Sequence, residues 1–234
     1  MDTVSAGFRG QVTLDGPSGT GKSSVARAVA ARLGAAYLDT GAMYRAATVA
    51  VLDAGVDPED AVAVARVVGS ARIEVGTTAG EELVLVDGVD VAERIRGAEV
   101  TRTVSPVSAV PAVRRQLVEQ QRALVAAADA VVVEGRDIGT VVLPDATLKV
   151  YLTAAPEVRA ERRAAQLGLS DPAEIAALAE DLRRRDDHDS SRADSPLRPA
   201  ADAVVVDSTD MDREAVVERV VELARRAVRT EEWA

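Results

Sequence analysis

The 234-residue chain has no cysteine and no asparagine, and only one histidine, one tryptophan, one phenylalanine and three tyrosines. Without cysteine there are no disulfides and no thiolate metal sites, which is compatible with a reducing compartment. Aromatics are 2% of the residues, too few for a platform that stacks nucleic-acid bases. A formal net charge of −10 repels a phosphate backbone, so no nucleic-acid partner is expected and any phosphate site has to be a local island of positive charge. Only Lys22 and Lys149 are lysines; the other basic residues are arginines, each able to grip a phosphate through two N–H groups. No apolar run reaches membrane-spanning length, and the N-terminus has no apolar signal core. A cytoplasmic protein with no membrane partner is therefore expected.

What is present is a chain that is 47% hydrophobic, rich in Ala and Val, and long enough for one domain with a substantial core. QVTLD (11–15), AYLD (36–39), AVVVE (130–134), TLKVYL (147–152) and AVVVD (203–207) read as short buried strands. KSSVARAVAARLG (22–34), GAMYRAATVAVLDAG (41–55) and DREAVVERVVELARRAVR (212–229) have helical spacing. Strands separated by helices imply right-handed crossovers and an α/β fold, a doubly wound parallel sheet of about five strands. Between Ala71 and Val91 the rhythm changes. ARIEVGTTAGEELVLVDGVDV alternates around a DG turn, which predicts a small antiparallel β insertion.

GPSGTGKS (16–23) fits G-x-x-x-x-G-K-[ST], with a strand before it and a helix after. Glycines let successive backbone N–H groups curl around phosphate oxygens, and the helix start adds its positive dipole end. Gly16, Pro17, Ser18, Gly19, Thr20, Gly21, Lys22, Ser23 and Ser24 are the expected ATP-binding residues. Lys22 is placed to reach the β and γ phosphates, and the Ser23 hydroxyl to join the shell of a Mg²⁺ ion carried by ATP. The motif marks a P-loop NTPase without naming its reaction. A GTPase switch needs an N-K-x-D motif, which a chain without asparagine cannot supply. GRD (135–137) echoes a protein-kinase catalytic loop, but the asparagine that should follow is missing and the glycine loop is of another type. A small-molecule kinase remains.

RRRDDHDSSR (183–192) crowds the only histidine, His188, among arginines and aspartates. By itself it reads as a metal site, a solvated helix face or a clamp for an anion. If helical, Arg185, Asp189 and Arg192 form one stripe at i, i+4 and i+7. His188 falls off that stripe, and no second histidine, cysteine or spaced carboxylate pair completes a metal cage. An exposed His188 is expected, and the clamp is the preferred reading.

LDTGAMYR (38–45), SPVSAVPAVRRQLVEQQR (105–122), VVEGRDIGTVVLPDA (132–146) and RRRDDHDSSR follow the phosphate loop in that order. The series resembles the bacterial cytidylate kinases of the nucleoside-monophosphate kinase superfamily, from about Gln11 to the C-terminal helix. The resemblance implies one domain over 1–234. Its core would lie at about 10–40, 128–155 and 200–234, its monophosphate-binding region with the β insertion at about 41–127, and a helical lid at about 156–199. Thr40, Arg45, Arg136 and Arg192 would hold the acceptor phosphate. Ser105, Arg114 and Asp137 would face cytosine, and Arg185 and Asp189 the sugar. Arg159, Arg162 and Arg163, in the lid segment, would join Lys22 and Arg136 in neutralising charge during transfer. Glu134 stands where many relatives have Asp.

Taken singly these residues read more blandly. Arg45 is a solvated residue on an amphipathic helix, Arg114 and Arg115 a surface pair, Arg136 and Asp137 an ion pair at a strand end, and Ser105 a turn or helix cap. Their order behind the phosphate loop is what lifts them. The implied activity is ATP-dependent phosphorylation of CMP and dCMP by a monomer. A UMP or shikimate kinase, or a nucleotide-binding switch, are the alternatives.

Overall fold

A computed structural model describes residues 8–192 and 194–231; the ends of the expected 1–234 domain lie outside them. The chain runs β1 (Gly10–Asp15), α1 (Lys22–Leu33), β2 (Ala36–Asp39), α2 (Thr40–Asp53), α3 (Ala61–Ser70), β3 (Ile73–Val75), β4 (Val84–Val86) and β5 (Val89–Asp90). It continues through α4 (Ala98–Ala109), α5 (Pro111–Ala126), β6 (Ala130–Glu134), β7 (Leu148–Thr153), α6 (Pro156–Leu167), α7 (Pro172–Ser191), β8 (Val204–Asp207) and α8 (Arg213–Glu231). A short 3₁₀ turn at Arg94–Arg96 and a π-helical turn at Ile138–Val142 complete the regular structure.

Five strands form a parallel sheet in the order β2-β6-β1-β7-β8, as the alternating pattern implied. Period-two alternation sends Val12, Leu14, Val132 and Val150 to one face, where they pack with Val29 of α1 and Val217 and Val220 of α8. Leu38, Val131 and Val133 point the other way, onto Met43 and Val49 of α2 and Leu117 of α5. A sheet covered on both faces needs strands that are apolar throughout, which is what the Val-rich runs supply. Leu14, Leu38 and Leu152 are fully buried, each contributing about 1.5–3 kcal/mol of transfer free energy.

The expected antiparallel insertion is the second sheet, β3-β4-β5. Asp87 and Gly88, both at positive φ (51° and 80°), make the two-residue turn that joins β4 to β5. The loop between β3 and β4 reaches the main sheet, where the Tyr37 N–H donates to the Thr77 carbonyl at 2.8 Å. Among the described residues no helix is long and apolar enough to cross a membrane.

The loop after β1 sits at the carboxyl edge of the sheet centre, the usual place for a ligand in open α/β folds. Gly16 has φ 148°, and a Cβ built there would lie 2.0 Å from the Leu152 carbonyl oxygen. That oxygen belongs to β7 and cannot swing away. Gly16→Ala is therefore expected to cost about 3 kcal/mol or more through steric and backbone strain. A fall in the urea midpoint of unfolding at unchanged m-value would register it; an unchanged midpoint would contradict it.

Candidate functional site

A cleft of about 700 Å³ opens at the carboxyl edge of the sheet. From the phosphate loop and the start of α1, Ser18, Gly19, Gly21, Lys22, Ser23 and Ser24 line it. Gly16, Pro17 and Thr20 lie beneath: the Pro17 carbonyl accepts from Thr20 Oγ1 at 3.2 Å and from Lys22 Nζ at 2.7 Å. Lys22 is 7% exposed. Burial first, and the Arg136 guanidinium second, push its pKa well below the ordinary lysine value.

Glu134 ends β6 beside this loop. Its Oε2 accepts from Ser23 Oγ at 2.9 Å, and its Oε1 from the Tyr37 hydroxyl. Burial, with Asp39 adding to it, drives the Glu134 carboxyl upward from its ordinary range. The described residues contain no group of three or more His, Cys, Asp or Glu able to hold a metal ion. A hydroxyl and a carboxylate are hard oxygen donors, however, and Mg²⁺ is commonly held by one or two such groups plus phosphate oxygens and water. The residues present fit that role.

The expected acceptor residues come together across the cleft. Thr40, Arg45, Ser105, Arg114, Arg136, Asp137, Arg185, Asp189 and Arg192 all line it. Thr40 begins α2 and donates its hydroxyl to the Glu134 carbonyl at 2.7 Å. Arg45, one turn on, is held by the Ile95 carbonyl and Thr101 Oγ1, both at 3.0 Å. Asp189 bridges two arginines: Arg136 Nε at 3.1 Å and Arg192 at 2.6 Å. Arg136 also donates to Ser18 Oγ at 2.7 Å, and Arg192 to Ser108 Oγ at 3.0 Å.

Within the same cleft Arg114 and Asp137 pair at 2.5 Å, both side chains under 8% exposed (7% and 6%). Arg114 is thus no surface residue, whereas Arg115 is exposed. The Arg114 guanidinium also lies over the Tyr44 ring at 5.2 Å and donates to the Ser108 carbonyl at 3.2 Å. Ser105 precedes Pro106 inside α4, so it is neither a turn nor a cap. The stripe Arg185–Asp189–Arg192 lies on α7 and its C-cap, and His188 between them is exposed.

Three cleft guanidiniums, those of Arg45, Arg163 and Arg185, have no carboxylate partner within ion-pair distance among the described residues. Arg45 and Arg185 have their pKa values lowered, first by burial and next by neighbouring guanidiniums: Arg185 acts on Arg45, and Arg136 on Arg185. Burying like charges together is unfavourable unless an anion joins them.

The three lid arginines part company. Arg163 lines the cleft. Arg159 turns to the phosphate loop, donating to the Ser18 carbonyl at 3.0 Å and pairing with Asp186. Arg162 points elsewhere, donating to the Ser208 carbonyl at 2.6 Å and the Met211 carbonyl at 3.2 Å in the loop before α8.

Three residues that sequence reasoning did not single out support the site. Asp15 accepts from the Ile138 and Gly139 N–H groups at 2.9 and 2.7 Å, fixing the backbone just after Asp137; burial lifts its pKa to about 6. Asp186 accepts from the Ser18 N–H at 3.1 Å. Tyr37 holds Glu134. The position of Asp15 directly before the glycine loop is a local signal; Tyr37 and Asp186 become visible only through tertiary contacts.

A family model described as cytidylate kinase matches residues 12–226. The chain belongs to the cytidylate kinase family. It is 56% identical over 211 residues to a cytidylate kinase of Rhodococcus opacus, covering 90% of this chain and 92% of that one. A Streptomyces avermitilis cytidylate kinase is 53% identical over 213 residues, covering 91% of each. Among solved structures, a gluconokinase from Sinorhizobium meliloti superimposes with a TM-score of 0.53 at 16% identity, over 97% of this chain and 98% of that one. That likeness concerns the fold alone.

Proposed function

We propose that this member of the cytidylate kinase family transfers the γ-phosphoryl group of ATP to CMP and dCMP. One observation carries the reading: a single cleft joins a phosphate loop, a cluster of arginines in which Arg136 and Arg192 share one carboxylate and Arg45 has none among the described residues, and a buried polar pair of opposite charge. The first suits the triphosphate, the second the acceptor phosphate, and the third the edge of a base. Ser18 to Ser24 would hold the donor; Thr40, Arg45, Arg136 and Arg192 the acceptor phosphate; Ser105, Arg114 and Asp137 the cytosine; Arg185 and Asp189 the sugar. The β insertion and the α6–α7 segment are read as the monophosphate-binding region and lid.

An acceptor phosphate oxygen attacks the γ phosphorus as the bond to the β–γ bridging oxygen breaks. The attacking oxygen is already anionic, so no general base is needed, and the protein works by alignment and charge neutralisation. Lys22 and the cleft arginines lie between the two polyanions and offset their repulsion. Mg²⁺ bound with the triphosphate supplies further charge neutralisation, and Ser23 and Glu134 are the residues that would hold it.

A coupled assay of ADP release with CMP, dCMP, UMP, AMP and shikimate tests this. CMP and dCMP should drive release about 10³-fold more efficiently than the others. ADP release that is the same with and without any acceptor would overturn the kinase reading.

A further inference from the structure

Glu134 is a buried carboxylate whose two oxygens go to different partners: Ser23 of the phosphate loop on one side and Tyr37 on the other. The sheet register explains how Tyr37 reaches it. Tyr37 pairs with Val132 in the parallel β2–β6 ladder. Glu134 lies two residues further along β6, so both side chains project from the same face. Ser23, at the start of α1, covers that face.

Tyr37 is itself held from three directions. The residue is 3% exposed, in the core under α1. The Arg27 guanidinium lies over the ring at 5.2 Å, and Arg27 pairs with Glu82 of the β3–β4 loop. The backbone N–H of Tyr37 is bonded to Thr77 in the same loop. A tyrosine fixed in this way is built to aim its hydroxyl, and the hydroxyl ends on the carboxylate that bonds the phosphate-loop serine.

We infer that Tyr37 is a positioning residue: its hydroxyl holds Glu134 beside Ser23, so that the two present their oxygens to the divalent cation accompanying the donor triphosphate. The inference rests on the nucleotide reading of the cleft. A glutamate has one more rotatable bond than an aspartate, and a second hydrogen bond on the carboxylate removes that freedom. The β insertion, through Glu82 and Thr77, thereby braces the metal side of the donor site as well as bordering the cleft.

Tyr37→Phe keeps the ring and its packing and deletes the hydroxyl alone. Binding of the non-hydrolysable analogue AMP-PNP is measured by calorimetry in EDTA and again in Mg²⁺, for wild type, Tyr37→Phe, Glu134→Gln and the double variant. The Mg²⁺-dependent tightening should fall about 10-fold or more in Tyr37→Phe, the range for groups that orient metal ligands, while binding in EDTA stays unchanged. Glu134→Gln should show a similar loss, and adding Tyr37→Phe to it should change little. An unaltered Mg²⁺ dependence in Tyr37→Phe overturns the inference. So does equal weakening with and without Mg²⁺, which would make Tyr37 a general support of the loop. Wild type that binds AMP-PNP in neither condition would instead remove the nucleotide reading beneath it.

Discussion

Lys22→Ala should leave the fold intact and lower kcat by about 10²–10³-fold, the usual loss when a charge stabilising the transition state is removed. The two halves of this expectation have separate causes. Lys22 is buried with its Nζ on the Pro17 carbonyl and no carboxylate in ion-pair contact among the described residues. Its ammonium is disfavoured by burial and by Arg136, so deletion removes an electrostatic cost of the folded state along with one hydrogen bond. A bound triphosphate changes the sign of that environment. Thermal melting and steady-state kinetics on the same preparation separate the two effects. Near-normal turnover in a folded variant would remove the phosphate-loop assignment, and a melting point lowered by ten degrees or so would contradict the stability argument.

The second large effect concerns base selectivity. Cytosine offers an N4 amino donor and an N3 acceptor, and uracil reverses both. In the Arg114–Asp137 pair each partner uses only part of its capacity on the other: Asp137 Oδ2 takes one Arg114 N–H, and among the described residues nothing donates to Oδ1, which is left to accept from an amino group. Arg114 has further donors, one of them already on the Ser108 carbonyl. On the proposed assignment such a site should leave uracil with mismatched groups, giving a discrimination of about 10³-fold or more. Asp137→Asn should relax it, because the amide can keep its oxygen on Arg114 and turn its NH₂ toward a uracil carbonyl. Arg45 is braced by Ile95 and Thr101 and in the proposed assignment meets only the phosphate, so Arg45→Gln should weaken CMP and UMP alike. The comparison is kcat/KM for both nucleotides in each variant. A CMP-to-UMP ratio that shifts in Arg45→Gln but not in Asp137→Asn would show that phosphate and base ends are misassigned.

The strands and the phosphate loop were legible because their signals are local: apolar β-branched runs, glycines at fixed offsets, and a lysine–serine pair opening a helix. The roles tied to a resemblance became geometric only when distant segments met, as when Arg114 on α5 found Asp137 behind β6. Helix charge patterning cannot tell a buried arginine from an exposed neighbour, and Arg114 and Arg115 differ in just that way. Shared spacing also overstated the unity of Arg159, Arg162 and Arg163. A helix wedged among several elements sends residues three or four apart to different partners, and here these are the phosphate loop, the loop before α8 and the cleft. α3 lay outside the reading because its AVAVA run alternates like a strand. Asp60 settles the matter by capping Val62 and Ala63 at 3.1 and 3.0 Å. Pro106 concealed α4 in the opposite sense, since proline within a helix is costly and packing has to outweigh it.

The place of β1 in the sheet bears on how the protein reaches its working form. The strand that launches the phosphate loop is central, and its partners on either side begin only at Ala130 and Leu148. Ribosomal synthesis therefore releases the loop long before the two strands that flank β1 exist. Local pieces such as the β3–β4–β5 meander pair neighbouring strands and are expected to close early, whereas the central ladder depends on contacts of long sequence separation, the slow class in folding. A nascent or truncated chain ending before β6 would carry the whole glycine motif but lack segment 134–137, β7 and the α6–α7 arginines that complete the cleft around it. Nucleotide affinity should thus be acquired late, with closure of the sheet, and fragments ending before β6 should not bind nucleotide.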